Sequence, residues 1–245
     1  MPRRKKRPRR RTTNVAARRP EVVANQVFVG VPWKAVRSRY EKTIEKMRKR
    51  SPLSFVIVGR DDRQDAEDLL AVIKDRVLSS SYAIFDATGG NPNVSLEYGY
   101  AEAVDLPRIL YLSTHGAARS GARDAPIIAD LAGKRRNQYK QQATLSKLLN
   151  EFSAKHAYTV RFERFMASTF RRAGKGKKKR ARALALKVIH SIDGSLQVRR
   201  ADIVQQLQAD VSRYSAADID EMIKRLHRAK LIRSQQGPYA RVQIA

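Results

Sequence analysis

The chain has no cysteine among its 245 residues. Disulfides, a thiolate nucleophile and a cysteine-based zinc site are therefore excluded. The four histidines are scattered without metal-ligand spacing, so we expect no metal site. The sequence also lacks an apolar run long enough to cross a bilayer, and no apolar segment follows its basic amino terminus. We therefore expect a cytoplasmic protein without a membrane partner.

Acidic residues are scarce relative to basic ones. The chain has 23 Asp and Glu against 51 Lys and Arg, which gives a net charge of +28. A charge of this sign and size attracts polyanions, and nucleic acid is the first candidate partner. Residues 1–20 form a basic arm whose run from Arg3 to Arg11 has no apolar residues, and in it Arg9 and Arg10 are expected to contact phosphates. A second basic run, residues 171–180 with Lys178 and Lys179, is interpreted as a nucleic-acid-binding linker between two domains.

Between these basic runs, short apolar strands alternate with amphipathic helices. The predicted strands are 27–31, 55–59, 82–85 and 109–112, and the predicted helices are 33–50, 66–77 and 93–104. Such alternation requires right-handed crossovers, so residues 21–170 are predicted to form an α/β domain with a parallel, flavodoxin-like sheet flanked by helices. Further helices over 127–131, 138–152 and 158–170 would close it. Residues 113–125 read as a loop, either a lid over a ligand or a simple connector.

Residues 181–245 have a pattern of their own, with three amphipathic helices and two short strands joined by a tight turn. This order is similar to a small winged helix-turn-helix domain with its third helix in the recognition position. The start of that helix is acidic, with Asp218, Asp220 and Glu221, which opposes base reading. Basic residues toward its end favour phosphate contact, and a protein partner is the alternative. These basic residues are Lys224, Arg225 and Arg228.

Residues 82–100 are the most informative stretch for function. A strand ends in Asp86, Gly89 allows a tight turn, Pro92 suits a first helical position, and Glu97 lies in the helix that follows. Ligands of open α/β sheets bind at the carboxyl ends of the strands, where a helix start offers N–H groups to a phosphate. Turn formation and helix capping alone are the alternative explanation for these residues.

One spaced pattern in this stretch resembles a known family. The pattern is Asp86-x-x-Gly89-x-Asn91-Pro92-Asn93-Val94-x-x-Glu97-x-Gly99-x-Ala101. It is similar to the signature of nucleoside 2-deoxyribosyltransferase-like proteins and of the related Toll/interleukin-receptor-like nucleotide-binding domains. The resemblance implies that Glu97 attacks or stabilises the anomeric carbon of a ribosyl group and that Asp86 positions the base or ribose. Phe28 stands where the family has a tyrosine that orients the glutamate, and phenylalanine cannot donate that hydrogen bond.

The resemblance implies a nucleotide pocket with no separate cofactor, in which NAD or a related nucleotide is substrate or ligand. Its remaining predicted contacts are Gly30, Trp33, Gly89, Asn91, Asn93 and Tyr98. The first hypothesis is an NAD glycohydrolase or nucleotide N-glycosidase that acts as a regulated effector. The second is a nucleotide sensor without turnover that engages nucleic acid through the basic segments and the winged helix. A third is a nucleic-acid-binding structural protein that has lost its ligand, and the sequence leaves open whether a homo-oligomer forms.

Overall fold

The first half of the chain is built on one parallel sheet. The structure is a computed structural model that describes residues 20–58, 69–114, 131, 133–192, 197–210, 214–235 and 240–245. The strands of this sheet are β1 (Val23–Gly30), β2 (Ser54–Val56), β3 (Ser80–Asp86), β4 (Arg108–Ser113) and β5 (Arg136–Tyr139). They lie in the order β2-β1-β3-β4-β5, and each neighbouring pair is parallel. This is the flavodoxin-like order, and it confirms the predicted fold class.

Helices cover both faces of this sheet. They are α1 (Arg37–Arg48), α2 (Leu69–Ser79), α3 (Pro92–Ala103) and α4 (Gln142–Lys155). Successive strand residues point to opposite faces, so the buried strands contribute to two cores. Ile84 faces the core that contains side chains of α1 and α4, whereas Phe85 faces the core that contains side chains of α2 and α3. This alternation determines which side chains can share a site.

The second half combines helices with a small antiparallel sheet. The helices are α5 (Ala157–Thr169), α6 (Lys175–Ser191), α7 (Arg200–Asp210) and α8 (Ala216–Arg228), and the strands are β6 (Val198–Arg199), β7 (Ile232–Ser234) and β8 (Arg241–Ile244). The strand order is β6-β8-β7. Ser215 and Asp218 form a reciprocal capping box at the start of α8. The helices and the terminal strands lie where the sequence predicts them, and their identification as a winged helix stays a prediction.

The two halves pack against each other through shared contacts. The Tyr158 hydroxyl donates a hydrogen bond to the Leu231 carbonyl at 2.9 Å. Arg182 of α6 forms an ion pair with Glu163 of α5 at 2.6 Å, and it also donates a hydrogen bond to the Arg50 carbonyl at 3.0 Å. Apolar residues of α6 and α8 belong to the same buried cluster as the α1 face of the sheet. The C-terminal part therefore extends the core of the α/β part.

Several local predictions differ from the structure. The basic run 171–180 is not a linker throughout, because α6 begins at Lys175 and its lysines are good helix formers. The helix predicted over 138–152 begins only at Gln142, since residues Arg136–Tyr139 form the edge strand β5. The division into two domains at 171–180 stays a prediction. The predictions for residues 1–19, for most of the 113–125 loop, for the 127–131 helix apart from Leu131, and for most of the tight turn lie outside the described residues.

Candidate functional site

Glu97 of α3 lies directly over the carboxyl end of β1. A Cβ atom placed on Gly30, the last residue of β1, would lie 2.6 Å from the Glu97 Oε2 atom and 2.6 Å from Cδ1 of Phe85. Only glycine leaves room for both groups at this position. Gly30 therefore lets the Glu97 carboxyl group sit against the sheet, at the edge where open α/β folds bind ligands.

The Glu97 carboxyl group is desolvated. Burial raises the pKa of Glu97 to about 7. Within the described part of the chain, no hydrogen bond or ion pair reaches this side chain. Glu102 of the same helix differs, because it is exposed and bonded to Lys134 and Arg108. The hydrogen bond from Lys134 is the main cause of its lowered pKa. An unpaired, desolvated carboxyl group at a sheet edge is typical of a functional site.

The start of α3 has the geometry that the motif predicts. Gly89 adopts a left-handed φ of 75° in the turn Thr88–Gly90 that leads from β3 to α3. Asn91 is the N-cap, and its side-chain oxygen accepts a hydrogen bond from the Asn93 N–H at 2.9 Å. Pro92 follows at the first helical position. Asn91 thus has a structural role in the helix start, whereas the Asn93 side chain is exposed.

Asp86 is fully buried and fully hydrogen-bonded within the protein. Its Oδ2 atom accepts from the Tyr40 hydroxyl at 2.9 Å and the Tyr139 hydroxyl at 2.7 Å. Its Oδ1 atom accepts from the Thr88 N–H at 2.9 Å and from the Thr88 hydroxyl. Four donors fill the four lone-pair positions of a carboxylate. The structure therefore gives Asp86 a different role from the predicted one: it holds α1, β3 and β5 together and leaves no acceptor position for a ribose or base.

Asp86 and Glu97 lie on opposite faces of the sheet. Gly30 and Phe85, which Glu97 contacts, face the α2 and α3 side. Asp86 is one residue further along β3 than Phe85, and strand alternation turns it toward Tyr40 of α1. The predicted pair of carboxylates in one pocket is therefore not formed. Tyr40, Tyr139 and Thr88 were missed, because an apolar pattern places a tyrosine in a core without indicating where its hydroxyl bonds.

The remaining residues predicted for the nucleotide site fall into two groups. Trp33 follows β1 and is 39% exposed, with the Arg37 guanidinium 4.7 Å from its ring centre. A planar surface of this kind, next to the edge that carries Glu97, suits a base or ribose. Tyr98 instead packs in the core, with its ring centre 5.4 Å from that of Phe85 and the Arg108 guanidinium 4.9 Å away. Its position is explained by packing and not by ligand contact.

The residues predicted to bind nucleic acid are spread over two helices and the arm. Lys178 and Lys179 are exposed in the first turns of α6, and Lys224 and Arg228 are exposed on α8. Arg225 is bonded to Glu221 at 2.8 Å and lies over the Phe170 ring. Arg9 and Arg10 lie outside the described residues.

The acidic start of α8 has partners within the protein. Asp218 caps the helix, and Asp220 pairs with Arg200 at 2.6 Å. The hydrogen bond from Arg225 is the main cause of the lowered pKa of Glu221. These internal partners reduce the repulsion of phosphates that the sequence suggests for this helix.

The described ranges contain neither a metal-binding cluster nor a membrane-spanning helix. No group of three or more His, Asp or Glu side chains there is arranged to hold a metal ion. None of the helices in those ranges combines the length and apolar character needed to span a bilayer.

Comparisons with known proteins give similarities to solved structures. No protein-family model matches the sequence, and no curated protein matches it. Among solved structures, the chain is similar to one described as 2-desoxiribosyltransferase from Leishmania mexicana, with 12% sequence identity and a TM-score of 0.42. The similarity covers 56% of this chain and 99% of that one. A similarity of this size carries no inference about activity.

Proposed function

We propose that the carboxyl edge of the parallel sheet binds a nucleotide and that Glu97 acts on its N-glycosidic bond. The observation that carries this proposal is the Glu97 carboxyl group over Gly30, desolvated and without a partner in the described chain. The start of α3 next to it presents the positive end of the helix dipole, which favours a phosphate. Trp33 supplies an exposed ring beside the same strand end.

The chemistry follows from the charge that develops during cleavage. When the bond between the anomeric carbon and the base breaks, the base leaves with the electron pair and the ribosyl carbon becomes cationic. A carboxylate beside that carbon offsets the positive charge, and it does so more strongly where water is excluded. With NAD the leaving group is neutral nicotinamide, and water adds to the sugar with loss of a proton to give ADP-ribose.

A direct assay tests the proposal. The purified full chain is incubated with NAD and a panel of nucleosides and nucleotides, with and without nucleic acid, and released base is measured by chromatography. Release of nicotinamide or a nucleobase that depends on Glu97 supports the proposal. Saturable nucleotide binding without release from any compound would favour the sensor hypothesis instead.

The pH dependence of cleavage is the first expected outcome. The ionised form of Glu97 is the one that offsets a cation, and its pKa is about 7. We therefore expect kcat/KM to be constant above that pH and to fall roughly tenfold per pH unit below it. A rate that falls above pH 7 and rises below it would show that Glu97 acts as a proton donor instead. Circular dichroism at each pH separates titration from unfolding.

A second function, binding of nucleic acid phosphates, is favoured by the exposed lysines at the start of α6. Lys178 and Lys179 lie four and three residues before Arg182, which donates to the Arg50 carbonyl just after α1. Helical spacing therefore places these lysines on the side of α6 that faces the basic end of α1. Positive charge from both halves of the protein meets there.

Loss of these two lysines should change the salt dependence of binding. We expect Lys178→Ala with Lys179→Ala to lower the slope of log affinity against log salt by up to about 1.8 for duplex DNA, since each phosphate contact contributes about 0.9. Binding to a random duplex at several salt concentrations measures this slope. The matched control is Lys140→Ala with Lys147→Ala, which removes the same charge from exposed positions elsewhere. Equal slopes for the two double variants would mean that the α6 surface makes no specific contribution.

A further inference from the structure

A cavity of about 750 Å³ lies at the opposite edge of the parallel sheet from Glu97. It is bounded by the beginnings of β1, β3 and β4 and by the elbow between α4 and α5. Its volume is within the range of cavities that hold small organic ligands. Neither the nucleotide site nor the basic surface of α6 uses it.

Aromatic rings form one wall of this cavity. The Tyr82 and Phe152 rings meet edge to face with centres 4.9 Å apart, and His156 completes the cluster at 5.8 Å from Phe152. The His156 ring is fixed, because its Nδ1 atom accepts from the Tyr158 N–H and its Nε2 atom lies 3.3 Å from the Ser81 hydroxyl. Fixed aromatic edges and faces suit a planar ring system.

Two tyrosines of the cavity lining have hydroxyls without a hydrogen-bond partner among the described residues. Tyr111 is only 1% exposed, yet within the described residues no hydrogen bond to its hydroxyl is present, and the same holds for Tyr82. By contrast, the buried hydroxyls of Tyr40, Tyr139 and Tyr158 are all hydrogen-bonded. Neither hydroxyl is among the fully enclosed polar atoms without a partner, so both can bond to a ligand atom in the cavity.

The charge at the rim favours an anionic ligand. Lys155 and Arg161 line the cavity against a single acid, Glu151. Lys155 forms no ion pair with the described chain, whereas Glu151 has Lys147 as a neighbour at 4.0 Å. The whole chain adds a strongly positive background.

We infer that this cavity binds a planar aromatic acid, with its ring against Tyr82 and Phe152, a polar ring substituent at the Tyr82 and Tyr111 hydroxyls, and its anionic group toward Lys155 and Arg161. The site is separate from Glu97, so it adds a ligand to the proposed function and does not depend on it.

Calorimetry with the full chain tests the site. The probe is 6-hydroxynaphthalene-2-carboxylate, which carries one hydroxyl and one carboxylate on a two-ring plane. We expect one molecule bound per chain. Naphthalene-2-carboxylate, which lacks the hydroxyl, and 2-naphthol, which lacks the carboxylate, should each bind at least threefold more weakly. Tyr111→Phe should weaken the hydroxylated probe about fivefold and leave naphthalene-2-carboxylate unchanged, as expected for one lost hydrogen bond.

Two substitutions of alanine locate the bound probe. Ala157→Trp places a large side chain in the cavity lining from an exposed position, and it should abolish binding. Ala154→Trp, exposed on α4 but not part of the lining, is the matched control and should bind like the parent. Both variants should keep the parent melting temperature and the parent base release, because Glu97 lies at the other edge.

Four results would overturn the inference. They are no binding of any of the three probes at millimolar concentration, equal binding by Ala157→Trp and the parent, equal affinity for 2-naphthol and the hydroxylated acid, and binding that appears only after residues 1–19 are deleted. The last result would assign the cavity to the chain's own amino-terminal segment.

Discussion

Glu97→Gln is expected to lower the rate of base release at least 100-fold without changing the fold. The substitution keeps the shape of the side chain over Gly30 and removes the charge that a cationic transition state requires. Loss of a single preorganised electrostatic contact typically costs a factor of about 100–1,000 in kcat. Chromatography of the released base under single-turnover conditions measures the rate, and circular dichroism checks the fold.

The matched control is Glu102→Gln, five residues further along α3. Glu102 is exposed and bonded to Lys134 and Arg108, so its loss should leave base release within about twofold of the parent. Equal rates for the parent and Glu97→Gln would remove Glu97 from the mechanism. A large loss in both variants would indicate that the integrity of α3, and not the Glu97 charge, controls the rate.

The stability of the Glu97 variant gives an independent readout. The pKa of Glu97 is about 7 in the folded protein against 4.5 for an ordinary glutamate. Between pH 4.5 and pH 7 the folded state therefore keeps a proton that the unfolded state has lost. Its stability therefore falls as the pH rises from about 4.5 to 7, and the full cost is present above pH 7. Glu97→Gln removes this cost, and it should be more stable than the parent at pH 8 by up to about 3 kcal/mol. A carboxylate kept despite such a cost is consistent with a functional role.

The parallel sheet could be predicted because its central strands are continuous apolar runs. Val27 and Ile84 are buried in such strands, and the helices between them have apolar residues at helical spacing. The edge strand β5 was missed because Arg136–Tyr139 is polar apart from its last residue. Its strand conformation comes from pairing with β4, a long-range contact that its local sequence does not encode.

The candidate site was predicted in part. The spacing of the motif placed Glu97 at the sheet edge, and the structure agrees, because Gly30 and α3 position it there. The motif also suggested a partnership with Asp86, which strand alternation contradicts. The alternation of side chains along β3 could have shown that Asp86 and Glu97 are on different faces, because the neighbouring residue Phe85 faces the other core. The bonds from Tyr40 and Tyr139 to Asp86 could not be read from the sequence, because they join residues 46 and 53 positions apart.

The start of α6 shows how composition can mislead. Two glycines among the basic residues of 171–180 favour a linker in a sequence-based interpretation. In the structure Gly174 is the N-cap and Gly176 lies in the first turn, where a glycine costs less than in the middle of a helix. Packing of Leu184 and Val188 further along α6 then stabilises the whole helix.

Asp86→Ala is expected to have the largest effect on stability. It removes the acceptor of four hydrogen bonds and leaves the buried hydroxyls of Tyr40 and Tyr139 and the partly buried Thr88 N–H without this partner. Each unpaired group costs about 1–3 kcal/mol, and we expect a total loss of about 3–5 kcal/mol after local relaxation. Urea unfolding followed by tryptophan fluorescence and circular dichroism measures the loss. Asp75→Ala, at an exposed position on α2, is the matched control and should stay within about 0.5 kcal/mol of the parent.

Asp86→Asn separates this structural role from ligand binding. Its oxygen can still accept from Thr88, and its amide can donate to the hydroxyl oxygens of Tyr40 and Tyr139, so about half of the stability loss should be recovered. Because all four acceptor positions of Asp86 are used within the protein, the affinity of the folded variant for NAD should equal that of the parent. A variant with parent stability and much weaker NAD binding would instead show that Asp86 contacts the ligand. The hydrogen bonds of its carboxylate within the protein would then not be its main role.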